Sequence, residues 1–96
     1  MPIAKAKVVT EHASRYLQQL CKHWGHKYGV TFDPAQGTIV FDETSSCELK
    51  ADPTTLFLTV HHSDADKIER LAEVVAVHIT RFAFREELDI HWRNEI

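Results

Sequence analysis

Residues 38–62, TIVFDETSSCELKADPTTLFLTVHH, decide the fold because three apolar runs alternate there with short polar turns. In the last run Leu56, Leu58 and Val60 fall on every second position, which is the spacing of a strand with one buried face. The turns at 44–46 and 52–53 are short, and hairpin connections of this length join antiparallel strands. A similar run at 30–33 adds a strand, so the middle of the chain predicts a four-stranded antiparallel meander.

A first amphipathic helix is predicted before the meander, over about residues 16–28. Its apolar residues recur at helical spacing and form one face: Ala13, Tyr16, Leu17, Leu20, Cys21, Trp24 and Tyr28. Thr10 is a suitable N-cap and Gly29 a suitable stop. Gly25 weakens the helix by about 1 kcal/mol relative to alanine, so we expect fraying or a close packing contact there.

A second amphipathic helix is predicted after the meander, over about residues 64–84. Ser63 and Asp66 have the spacing of a capping box with Asp in place of Glu. The buried face is predicted to contain Ile68, Leu71, Ala72, Val75, Ile79 and Phe82. Phe84 falls on the opposite side, so helical geometry is expected to end near it.

Two outer strands complete the set of elements. Residues 4–8 alternate, and so do Leu88, Ile90 and Trp92. The predicted order is strand, helix, four strands, helix, strand. Both helix faces are buried if they share one side of the sheet. The prediction is a single α+β domain over residues 1–96, a two-layer sandwich with a mostly antiparallel sheet and one open sheet face.

Composition favours a small soluble globular domain. The apolar fraction is 44%, the charged fraction is 26% and the net charge is −3, which argues against nucleic-acid binding through bulk positive charge. No apolar run is long enough to span a bilayer, and the N-terminal stretch lacks a secretory signal pattern. Cys21 and Cys47 are too few for a disulfide framework. We therefore expect a cytoplasmic protein whose two thiols are reduced core residues.

Three stretches of the chain resemble the family called domain of unknown function 2218, a group of small bacterial proteins: HASRYLQQLCKHWGHK (12–27), CELKA (47–51) and HITRFAFREEL (78–88). The resemblance implies a link to iron and siderophore metabolism, because some relatives are joined to flavin-dependent siderophore-interacting reductases. It also implies a fold similar to that of TATA-binding protein. No catalytic residue can be transferred, because the family has no established activity.

Histidine is abundant, with seven residues in the chain, and His23 with His26 is the candidate metal pair. On a helix these two lie about 60° apart and can face one ion. Cys21 lies about 160° from His23, so it cannot join them. A stable site needs a third ligand, for which His12 and His78 are candidates. The alternative is that His23 flanks the core and His26 is solvated.

The second helix has a basic flank made of Lys67, Arg70, His78, Arg81 and Arg85. The first helix has a second basic line made of Arg15, Lys22 and His26. The candidate ligands for an anionic partner are Arg15, Lys27, His78, Arg81 and Arg85, because cationic side chains recognise phosphates and carboxylates. The alternative is an ordinary solvated surface with local ion pairs. For the stretch Arg81 to Glu87 we favour an internal salt-bridge network of arginine with glutamate that fixes the exit into the last strand, over a pocket in which Arg81 or Arg85 holds an anion beside aromatic rings.

These patterns predict a non-catalytic binding or accessory module, with a siderophore-interacting reductase or an anionic small molecule as partner. No cofactor is required by the sequence, although a metal ion would suit the histidines. One alternative is a small metal-dependent or acid–base enzyme that uses His23, His26 and His78. Another is a self-associating module that pairs through Phe57 and Val40 on the open sheet face. The chain contains no phosphate loop, HExxH, CxxC or nucleophile elbow.

Overall fold

The computed structural model describes residues 2–83 and 86–95. Six strands and two helices follow one another as β1 (Ile3–Val9), α1 (Ala13–Trp24), β2 (Gly29–Phe32), β3 (Gln36–Asp42), β4 (Ser45–Ala51), β5 (Thr55–His62), α2 (Ile68–Phe82) and β6 (Trp92–Glu95). A single 3-10 turn, Ala65–Lys67, leads into α2. Within the described residues, neither helix combines the length and the hydropathy needed to cross a membrane.

All six strands form one antiparallel sheet in the order β2-β3-β4-β5-β1-β6. Strands β2 to β5 are the predicted meander, and β1 lies between β5 and β6. The register pairs Ala6 of β1 with Leu58 of β5, and Leu58 with Leu49 of β4. Because strand side chains alternate, this register aligns one buried row across the sheet. The predicted α+β architecture is confirmed.

Both helices pack on the buried side of the sheet. Helix α1 contacts mainly β3 and β4, whereas α2 contacts β5 and β1. Leu17 and Leu20 of α1 and Val75 and Ile79 of α2 are fully buried. Helix α1 approaches β3 closely at Gly37, where an added Cβ would lie 2.8 Å from Sγ of Cys21. The opposite side of the sheet is open, as predicted.

The first helix starts at Ala13, before the predicted residue 16, and ends four residues earlier than predicted. It ends at Trp24. Residues 25–28 form a turn in which the backbone amides of Lys27 and Tyr28 both donate to the Trp24 carbonyl, at 3.0 and 2.9 Å. Thr10 is not the N-cap: its hydroxyl accepts from the backbone amide of His12 at 3.1 Å and donates to Glu86 Oε1 at 3.0 Å. A tertiary partner therefore holds Thr10 outside the helix.

The start of α2 and the last strand also differ from the predictions. Asp64, not Ser63, caps the 3-10 turn, because its Oδ1 accepts from the backbone amide of Asp66 at 2.9 Å. The closing strand begins at Trp92. The alternation of Leu88 and Ile90 instead marks an irregular segment whose apolar side chains pack against the core. The prediction for Phe84 concerns a residue outside the described ranges.

Glu86 fixes the exit from α2. One carboxylate oxygen accepts from the Thr10 hydroxyl, and the other accepts from the Tyr16 hydroxyl at 2.6 Å. Nε2 of His12 lies 4.0 Å from the same carboxylate. Burial, followed by the hydrogen bond to Glu86, raises the pKa of Tyr16 to about 12. Glu86 therefore joins α1 to the chain that follows α2 through hydrogen bonds from two hydroxyl groups, whereas the sequence predicted a salt-bridge network between arginine and glutamate here.

Candidate functional site

One end of the sandwich opens into a cleft between the two helices. Strands β3 and β5 end there, α1 ends above them, and the first turns of α2 start there. The cleft has a volume of about 800 Å³, which is within the usual range of small-molecule sites. It is lined by Trp24, Lys27, Tyr28, Phe41, Ser45, His62, Asp66, Lys67, Arg70, Leu71, Val74 and His78.

Three aromatic rings form the apolar part of the cleft. The ring centroid of Phe41 lies 5.0 Å from those of both Trp24 and Tyr28, with interplanar angles of 82° and 81°. Trp24 and Tyr28 are 6.1 Å apart at 77°. These edge-to-face contacts are the favoured geometry of aromatic pairs, so the three rings hold one another in fixed orientations. Together they offer a rigid apolar wall.

Cationic side chains line the mouth of the same cleft. The lining includes three positive side chains, those of Lys27, Lys67 and Arg70, and one carboxylate, that of Asp66. Nζ of Lys27 lies 5.5 Å from the centroid of the Tyr28 ring, a cation–π distance. The cleft therefore attracts anions, although the whole chain carries a net charge of −3.

Two histidines in the cleft have defined tautomers in their neutral forms. Nδ1 of His78 lies 2.7 Å from the Val74 carbonyl oxygen, which only accepts, so Nδ1 carries the hydrogen and Nε2 can accept from a ligand. Nδ1 of His62 accepts from the backbone amide of Asp64 at 2.9 Å, so Nε2 carries the hydrogen and can donate. The cleft thus supplies one imidazole donor and one imidazole acceptor.

The predicted metal pair does not acquire a third ligand within the described residues. The ring of His23 packs on His78, with centroids 5.4 Å apart, and against Phe82 at 5.9 Å. His26 is exposed on the turn after α1. No group of three His, Cys, Asp or Glu side chains that could hold a metal occurs in residues 2–83 and 86–95. The pair His23 and His26 stays a prediction for a weak site.

The predicted anion ligands are dispersed over the molecule. Lys27 and His78 lie in the cleft. Arg81 lies on the outer surface of α2, where it lines two shallow grooves, and Arg15 is exposed on α1. Arg85 lies outside the described residues. The cleft therefore contains two members of the predicted set, together with Lys67 and Arg70 of the predicted basic flank.

Sequence reasoning did not assign Trp24, Tyr28, Phe41 and His62 to a site. The periodicity placed the first three on core faces, which is true but incomplete, because each lies at the end of its element. A usable signal was that the aromatic residues and His62 all fall at element ends that an antiparallel meander brings to one edge. Only the register between β3, β4 and β5 shows that they meet.

The two thiols are unsuited to nucleophilic chemistry. Cys21 and Cys47 are both buried and free. Burial raises the pKa of Cys21 to about 11 and raises that of Cys47 as well. A cysteine nucleophile reacts as the thiolate, so both residues act as small core side chains, as predicted.

The sequence of residues 5–93 matches the family described as "Uncharacterized protein conserved in bacteria (DUF2218)". The chain belongs to the DUF2218 family. The solved NMR structure of PA4090 from Pseudomonas aeruginosa is similar, with a TM-score of 0.82 and 41% sequence identity, covering 97% of this chain and 96% of that one. No curated protein matches the chain. The DUF2218 fold seen here is thus shared with a solved relative over almost the whole length of both chains.

Proposed function

We propose that this DUF2218 protein is a non-catalytic binding module that takes a small anion with a flat apolar body into the cleft between α1 and α2. The main evidence is that a rigid wall of Trp24, Tyr28 and Phe41 lies beside three cationic side chains. Rings favour a planar apolar surface, and lysine and arginine favour carboxylate, sulfonate or phosphate. A ligand that has both parts uses the whole cleft.

The histidines support binding over chemistry. General base catalysis by histidine usually relies on a carboxylate that orients the ring. In the described residues, Nδ1 of His62 is bonded to a backbone amide and Nδ1 of His78 lies against a backbone carbonyl. Both rings are therefore oriented by the main chain, and each offers Nε2 as a specific hydrogen-bonding group.

The finer hypothesis is that the anion is a siderophore or its catecholate fragment, and that the module serves a flavin-dependent reductase. Its support is the family resemblance and the chemical match between a catecholate, which is flat and anionic, and the cleft. The similarity to the TATA-binding-protein-like fold also remains a prediction, and a shared fold carries no function.

The test measures binding of 2-naphthoate and of its neutral analogue 2-naphthamide by calorimetry. A ligand of about a dozen heavy atoms is expected to bind with a Kd of roughly 0.1–1 mM. The amide, which keeps the ring system but lacks the charge, should bind at least about fivefold more weakly, because a charged contact is worth about 1 kcal/mol or more.

Matched charge variants identify the surface responsible. Arg70→Gln and Lys67→Gln should each weaken 2-naphthoate by about threefold to tenfold, as expected for one partly exposed charge. Lys22→Gln, an exposed position on α1 away from the cleft, should leave the affinity unchanged. Equal affinity for acid and amide, or equal loss in all three variants, would refute the proposal. A ferric tris-catecholate titrated in parallel tests the siderophore hypothesis separately.

A further inference from the structure

The outer surface of α2 is apolar at its centre and faces away from the sheet. Val74 and Val77 are 39% and 40% exposed, although they lie in the middle of a fifteen-residue helix. Two shallow grooves of about 350 and 390 Å³ flank Val77, one on each side. An exposed apolar ridge between two grooves is the surface that helix–helix packing uses.

Charges of opposite sign stand at equal distances on either side of Val77. Glu73 precedes it by four residues and Arg81 follows it by four, so each lies one helical turn, about 6 Å, from the valine. Both side chains are exposed, and neither has an ion-pair partner among residues 2–83 and 86–95. At eight residues apart they cannot pair with each other.

We infer that α2 is a self-recognition surface on which a second copy of this chain packs antiparallel, about a twofold axis through Val77. In that arrangement a residue four positions before the axis faces one four positions after it. Glu73 of each copy therefore meets Arg81 of the other, and the two valines of position 77 meet at the centre. A twofold interface must be complementary to itself. This surface meets that condition, because its apolar centre faces an apolar centre and each charge faces one of opposite sign.

The flanking positions are compatible with burial. Val74 lies three residues before the axis and Thr80 lies three residues after it, so Val74 of one copy faces Thr80 of the other. The hydroxyl of Thr80 already donates to the carbonyl of Ala76 at 2.8 Å, so its methyl group can face the partner without leaving an unsatisfied donor. The contact is one helix wide and smaller than a standard interface, so the dimer is expected to be weak, with a Kd of roughly 10–500 µM.

The surface differs from the ligand cleft and from the open sheet face. Val74 also lines the cleft, but neither Glu73 nor Arg81 does, so the charge reversals leave the cleft lining unchanged. The open face, with Phe57 and Val40, lies on the other side of the molecule. A second copy could dock there instead, and the experiment distinguishes the two.

Sedimentation equilibrium over about 10–500 µM, the range expected for a small interface, tests the inference with charge reversals. Glu73→Arg and Arg81→Glu should each lower the association constant at least about tenfold, because both ion pairs become repulsive. An equimolar mixture of the two variants should associate as well as the wild type, since Arg at 73 then meets Glu at 81. The double variant should also regain self-association.

Two controls and one alternative complete the design. Glu43→Arg, in the exposed turn between β3 and β4, and Arg15→Glu on α1 make the same charge changes outside the proposed contact, and association should persist in both. If the wild type stays monomeric to the highest concentration, or the mixture fails to associate, the inference is wrong. If Phe57→Asp abolishes the dimer while the charge reversals leave it intact, the second copy docks on the sheet face and the inference is equally wrong.

Discussion

Gly37→Ala should destabilise the fold, because α1 packs closely against β3 at Gly37. An added Cβ would stand 2.8 Å from Sγ of Cys21, 3.1 Å from Cβ of Phe32 and 3.5 Å from Cδ2 of Leu17. The first two distances are shorter than normal packing contacts. Sγ of Cys21 ends a short side chain that is fully buried, and Cβ of Phe32 is bonded directly to the backbone, so neither atom can move away easily. Gly37 itself is buried in β3, so the methyl group cannot turn to solvent.

The magnitude follows from the cost of overpacking. Inserting one methyl group into a well-packed core costs about 1–3 kcal/mol. In a domain of this size, 1 kcal/mol lowers Tm by about 4–8 °C, so the Tm should fall by roughly 5–20 °C. Cys21→Ala alone should cost about 1 kcal/mol, since it removes one buried sulfur and leaves a small cavity.

The double variant decides whether the Cys21 contact is the cause. With the sulfur absent, the new methyl group fills part of the space, so Gly37→Ala with Cys21→Ala should be more stable than the sum of the single effects by at least about 1 kcal/mol. Urea unfolding followed by circular dichroism measures all four proteins. A neutral Gly37→Ala, or strict additivity in the cycle, would show that α1 does not pack on β3 as described.

Three further outcomes are expected. Tyr16→Phe should lower the free energy of unfolding in urea by about 1–2 kcal/mol. The raised pKa of about 12 favours the protonated phenol in the folded state, so the stability of the wild type should fall as the pH rises from 10 towards 12. The variant should lose less stability over the same range. Hydrogen bonds from Thr44 and Ser45 lower the pKa of Asp42 to about 2. The ionised carboxylate therefore stabilises the fold above about pH 4, and this contribution is lost as the pH falls to about 2. Asp42→Asn should flatten that part of the acid unfolding curve. Cys21 and Cys47 should resist iodoacetamide in native protein and react on unfolding, as mass spectrometry would show.

The fold was largely predictable because burial imposes a local period. Leu56, Leu58 and Val60 alternate in β5 and are buried as predicted, and Leu17 and Leu20 follow the helical spacing of α1. These positions needed no knowledge of distant partners. The open sheet face followed from the same alternation.

Element ends were less predictable because tertiary contacts determine them. Thr10 has the chemistry of an N-cap, yet its hydroxyl binds Glu86, which is 76 positions away in sequence. Leu88 and Ile90 alternate as a strand would, but they pack on the core from an irregular segment. Local patterns cannot distinguish these cases.

The site was predictable only in part. Lys27 and His78 were candidates by their charge and helical position, and both lie in the cleft. Trp24 and Phe41 looked like core residues, and their edge-to-face contact depends on how the end of β3 lies under the end of α1. The distance between the Trp24 and Phe41 rings is set by how the helix packs on the sheet, and neither segment alone determines it.

The assignment of the cleft between α1 and α2 as the binding site is best tested by mapping the binding of 2-naphthoate through amide chemical shifts in nitrogen-15-labelled protein. We expect the changes in amide chemical shift to be concentrated at the cleft, around Lys27, Tyr28, His62 and Arg70. The amides of the open sheet face, around Lys7 and Lys50, should be unaffected. Shifts on the open face, or none anywhere at ligand concentrations of roughly ten times the expected Kd, would contradict the assignment of the cleft as the binding site.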